Sequence, residues 1–141
     1  MKKSIYVHFL LLSVVIISFQ GCIKGETTGT DGTDARVKFL GRWSVIENWQ
    51  KSAYQVTISA DPNSTNGIFI QNFANSGTSG NPAAASISSN TITLDYNQEI
   101  GDGWIINGSG SYQTETGKII WDYTLNDGAT LITATATYTK L

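Results

Sequence analysis

Cysteine and histidine, the side chains that most often supply nucleophiles, general bases and zinc ligands, occur once each in these 141 residues, as Cys22 and His8. Both stand within the first 22 positions. Beyond them the chain has neither, which removes His-assisted nucleophilic catalysis and His/Cys zinc sites from its repertoire. Carboxylates, hydroxyls, tyrosines and a few lysines remain. Asp95, Glu99, Asp102, Asp122 and Asp127 are the acids from which a glycoside-cleaving pair would be drawn. They stand in turns or opposite aromatic neighbours in alternating rows, so solvent is the expected surrounding. Asp31-Gly32-Thr33-Asp34 has the look of a calcium loop without its remaining oxygens. No metal, no cofactor and no enzymatic activity is expected. The aromatic residues offer a different chemistry. Trp43, Tyr54, Trp104, Trp121 and Tyr123 fall on apolar rows, where they either line a pocket for a small apolar ligand or fill the core themselves. Trp49, between Asn48 and Gln50, reads as an exposed loop aromatic.

The first residues decide where such a domain would work. Lys2 and Lys3 are followed by an apolar run from Ile5 to Phe19, and Phe19-Gln20-Gly21-Cys22 closes the segment. A basic start, an apolar stretch and a small residue before a cut are the three parts of a secretory signal. The run falls short of the roughly twenty residues a membrane span needs. Gly21-Cys22 at its end resembles the lipobox of bacterial lipoproteins, which implies cleavage before Cys22 and acylation of its thiol. Each buried methylene adds about 0.8 kcal/mol, so two or three acyl chains hold a protein at a membrane durably. Residue 23 is Ile rather than the Asp of the inner-membrane retention signal, which points to the outer membrane; the periplasmic and surface faces both stay open.

A leader of residues 1–22 leaves enough chain for one domain. Lys2 and Lys3 leave with it, so seven basic residues face eleven acidic ones, a net of about −4. That balance excludes a nucleic-acid footprint, which needs clustered Lys and Arg. With Cys22 acylated, no disulfide is available. Residues 23–36 are polar and rich in Gly and Thr, too poor in apolar surface to order themselves, and read as a flexible tether.

From Val37 onward apolar residues recur with period two. Phe39, Gly41, Trp43 and Val45 share one face; Tyr54, Val56 and Ile58 share another, against Gln55, Thr57 and Ser59. Ile68-Phe69-Ile70 with Phe73, then Ile92, Leu94 and Tyr96, then Trp104, Ile106, Gly108, Gly110 and Tyr112 continue the series. Ile119, Trp121, Tyr123 and Leu125 precede a Thr-rich last segment from Thr130 to Tyr138. Turn residues separate the rows, and Asn126-Asp127-Gly128 is a strong hairpin signal because its residues tolerate positive φ. No window repeats at helical spacing. The fold class is therefore all-β, with seven or eight short strands joined mostly by hairpins. One large apolar face per strand, and two glycines on an inward row, favour a closed barrel over an immunoglobulin-like sandwich. The stretch from Phe73 to Ala85 is either a lid over the barrel mouth or a tolerated insertion.

Gly41-Arg42-Trp43 at the start of the first strand resembles the Gly-x-Trp motif of lipocalins, whose tryptophan plugs the closed end of the barrel. Tyr54-x-Val56-x-Ile58, Ile70-x-Asn72-Phe73, Gly108-Ser109-Gly110 and Ala136-Thr137-Tyr138 extend the likeness to small lipocalin-like lipoproteins of Bacteroidota over residues 37–141. Near the end of the last strand, where lipocalins carry an arginine over the tryptophan, this chain has Lys140. The resemblance implies a small antiparallel up-and-down barrel and a membrane-tethered, non-enzymatic protein that holds a small apolar ligand. A structural or adaptor lipoprotein, engaging a protein or glycan partner through its loops, is the alternative.

Overall fold

The structure, a computed structural model, describes residues 34–141; the leader, Cys22 and the expected tether up to residue 33 lie outside the described residues. The period-two rows become nine strands: β1 Gly41–Glu47, β2 Tyr54–Ala60, β3 Gly67–Gln71, β4 Ala83–Ser88, β5 Thr91–Leu94, β6 Gln98–Glu99, β7 Ile105–Gln113, β8 Lys118–Asn126 and β9 Leu131–Lys140. A short 3-10 turn, Phe73–Asn75, is the one helical element among the described residues. Every strand pairs antiparallel with its neighbour in sequence except around β6, which adds a two-residue ladder to β7. Two pairings between strands distant in sequence complete a single ring: β9 returns to β1, with Tyr138 opposite Val45, and β5 reaches β7, with Ile92 opposite Gly110. The result is an eight-stranded closed antiparallel barrel with β6 as an extra strand, and the sandwich alternative is ruled out. Closure leaves no long unpaired edge.

Alternation directs one face of each strand inward. Trp43 and Val45 on β1, Val56 and Ile58 on β2, and Ile68 and Ile70 on β3 are buried, as are Trp121 and Tyr123 on β8. On β4 and β9 the inward residues are mostly small, namely Ala83, Ala85, Ala134 and Ala136. Large aromatics from β8 fill the space these leave, the complementarity a barrel of this strand number needs to close on a solid interior. Gly110 makes the same kind of room: a Cβ there would lie 2.8 Å from Cδ2 and Cε2 of the Trp121 indole. At Gly108 a Cβ would meet the Asp122 carbonyl oxygen at 2.4 Å. Alternation fails at Tyr96, expected beside Ile92 and Leu94 but 84 % exposed. β5 stops at Leu94, and the chain turns away through Asn97 at φ 54°.

One end of the barrel is sealed by the segment before β1. Phe39 is fully buried, and its carbonyl accepts a 2.7 Å hydrogen bond from the Trp43 indole. Lys140 stands over the Trp43 ring at 5.3 Å from its centroid and donates to the Lys38 carbonyl at 3.1 Å. Tyr112 packs edge-on against Phe39 at 5.5 Å. Asp34 and Arg36, at the end of the expected tether, form an ion pair of 2.8 Å. Nη1 of Arg36 also donates to the carbonyls of Asp61, Ser64 and Gly67, which fastens the chain to the β2–β3 turn.

Candidate functional site

The opposite end is the mouth, where β1 ends at Glu47, β2 begins at Tyr54 and β8 ends at Asn126. The loop after β3 folds inward there. Asn72, Ala74 and Asn75 adopt left-handed backbone, at φ 64°, 52° and 60°, and this coil drives the Phe73 side chain into the barrel. Its ring meets Tyr123 at 4.9 Å and Trp121 at 5.2 Å, both edge-on. Side chains hold the turn in place: Asn72 donates to the Gln55 carbonyl at 2.7 Å and accepts from the Gly77 amide at 2.7 Å. Gln50 donates to the Ala74 carbonyl at 3.3 Å and accepts from Asn75 at 3.2 Å.

Above this plug lies an open recess of about 530 Å³, whose apolar walls include Trp49, Trp104, Ile100 and Leu125. Gln50, Lys51, Asn75, Ser76 and Asp102 give it a polar margin. Trp49 is 41 % exposed, and the Ser76 hydroxyl is buried without a partner.

At the mouth end of β1 sits the one buried charged side chain among the described residues. Glu47 is 4 % exposed, and its Oε1 accepts hydrogen bonds from the hydroxyls of both Tyr54 and Tyr123. Its Oε2 has no partner, nor have the buried Tyr138 hydroxyl and Trp121 indole N–H. Burial pushes the Glu47 carboxyl above its usual range. The hydrogen bonds from the Tyr123 and Tyr54 hydroxyls act the other way, and burial outweighs them. Burial likewise raises Tyr54, Tyr123 and Tyr138 far above ordinary phenols, so all three stay protonated and able to donate.

The candidate aromatics therefore separate by depth. Trp104 lines the recess, while Tyr54 and Tyr123 donate to Glu47 and Trp121 packs with Tyr123 against Phe73. Trp43 lies at the sealed end, far from either. Asp95, Glu99, Asp102, Asp122 and Asp127 are all exposed. Sequence reasoning missed Glu47, although it continues the inward alternation of Trp43 and Val45 by one more step. Phe73, read with the third strand segment, lies instead in the loop after β3, where Asn72 before it takes the left-handed backbone that asparagine tolerates.

No known family model matches the chain, and no curated protein is significantly similar to it in sequence.

Proposed function

We propose that this is a lipid-anchored, lipocalin-like protein of the bacterial envelope, which holds a small, largely apolar ligand at the mouth of its barrel and catalyses no reaction. The recess of about 530 Å³ between Trp49 and Trp104 carries the ligand reading. Its size falls in the usual range of small-molecule sites, about 300–1,000 Å³, and it joins apolar walls to a few polar groups. The opposite end is shut by Phe39, Trp43 and Lys140, so a ligand has one way in. The anchor rests on the Gly21-Cys22 motif after the apolar run, with the outer membrane as destination.

Titration of the full chain with a panel of small apolar molecules, differing in head group, followed by tryptophan fluorescence, tests the ligand. Saturable quenching near one ligand per chain, weakened at least tenfold by Trp104→Ser, is expected; no response from the folded protein refutes it. Incorporation of an alkyne-labelled fatty acid, lost in Cys22→Ala together with membrane fractionation, is expected for the anchor.

A second reading has its own observation. Tyr96 and Leu131, both strongly exposed, join Trp49 in the segments at the mouth end. Exposed aromatics of this kind suit a protein or glycan partner engaged through the loops. Retained partner binding in a chain that takes up no apolar ligand would favour it.

A further inference from the structure

Glu47 is out of place in a barrel meant only for hydrocarbon. An unpaired carboxylate in an apolar interior is costly, and such groups persist where something compensates them. Two phenol hydroxyls converge on Oε1, while Oε2 is buried with no partner. The side chains that hydrogen-bond the carboxyl are Tyr54 and Tyr123, and neither is basic. Lys38 and Lys140 are committed to the sealed end, over Phe39 and Trp43, and Lys51 is exposed on the rim. The protein itself therefore brings no positive charge to Glu47.

The surroundings are those a cation favours. Aromatic side chains converge here: the Tyr54 and Tyr123 hydroxyls touch the carboxyl, and Tyr123 packs edge-on against Phe73, which meets Trp121. Ring faces attract organic cations through their quadrupoles, most strongly where water is excluded. Trp49 and Gln50 line the recess and follow Glu47 closely in the chain, just past the end of β1, so the recess and the carboxyl lie at the same end of the barrel. Gln50 is held there by two long hydrogen bonds, of 3.3 and 3.2 Å, which an incoming head group can displace.

We propose that Glu47 anchors the head group of a small organic cation, a protonated primary amine or its methylated ammonium counterpart, whose carbon frame lies in the recess between Trp49 and Trp104. This rests on the reading of the barrel as a ligand holder and names the chemistry of what it holds. A carboxylate ligand meets the opposite: a buried like charge with no basic residue to offset it. An alcohol satisfies Oε2 but leaves the charge uncompensated.

The test is a matched series, hexylamine, hexan-1-ol and hexanoate, titrated into the full chain at pH 7.5 and read by calorimetry and tryptophan fluorescence. Hexylamine is expected to bind at least tenfold more tightly than hexan-1-ol, with hexanoate weakest. Glu47→Gln, its folding checked by thermal melting, is expected to bring hexylamine down to the level of hexan-1-ol. Equal binding of the three probes, or tighter hexanoate, overturns the assignment while the apolar-ligand reading stands. Undiminished hexylamine binding by folded Glu47→Gln does the same. No binding of these or other apolar probes ends both. If Glu47→Gln does not fold, the wild-type ratio decides, supported by Gln50→Ala, which opens the path to Glu47 and is expected to hold hexylamine at least as tightly.

Discussion

At the scale of single residues, Glu47 links the barrel to its medium. Its carboxyl is raised by burial, with only the protonated phenols of Tyr54, Tyr123 and Tyr138 and the neutral Gln50 and Trp49 around it. As pH rises past the ordinary value of 4.5, the unfolded chain therefore releases this proton before the folded state does. Linkage then makes this group's contribution greatest below that value and has it decline as pH rises through the folded-state value. Urea unfolding of the wild type between pH 4.5 and 8 is expected to show that decline, and Glu47→Gln to flatten it; parallel curves would contradict it. The acid was within reach of sequence reasoning. The alternation Trp43, Val45, Glu47 points it inward, but a charged residue at a strand end reads as the start of the loop. Only the convergence of Tyr54 and Tyr123, 7 and 76 residues away, turns it into a site.

At the scale of elements, the strands follow from periodicity, and the loops required three dimensions. Rows such as Ile119, Trp121, Tyr123 and Leu125 became β8 without a register error, because slipping by one residue would turn every apolar side chain to solvent. The Phe73–Asn75 turn depended instead on three left-handed residues and on hydrogen bonds to Gln50 and Gln55 from distant sequence. Asn72→Ala removes two of the bonds that hold the plug and places alanine in left-handed backbone, at a cost of about 1 kcal/mol or more. Faster amide hydrogen exchange over residues 72–77, with the strands unaffected, is the expected outcome. Gly110 belongs to the same scale. Gly110→Ala forces a methyl into the Trp121 indole and is expected to destabilise by about 1–3 kcal/mol. In a double-mutant cycle measured by chemical denaturation, Trp121→Leu should relieve part of that cost.

At the scale of the whole molecule, the barrel is one core with two differently finished ends. The sealed end is built from apolar packing and two lysines over aromatic rings; the mouth is built from polar side chains around a plug. Trp43→Ala is therefore expected to cost about 3–5 kcal/mol and to lower a single cooperative thermal transition, whereas substitutions at Trp49 or Gln50 should leave the melting temperature within a few degrees. Alternation and turn residues foretold an all-β domain, and one apolar face per strand favoured its closure. Whether the interior was solid or hollow lay beyond both, since it turned on alanines of β4 and β9 facing the rings of β8. The pairing of β1 with β9 also fixes the order of events in time. The first strand has no partner on one side until the last is present, so ring closure must await almost the entire domain and its loop entropy is lost late. A chain threaded through a membrane pore from its front end would remain unclosed throughout the passage, its barrel completed only on the far side.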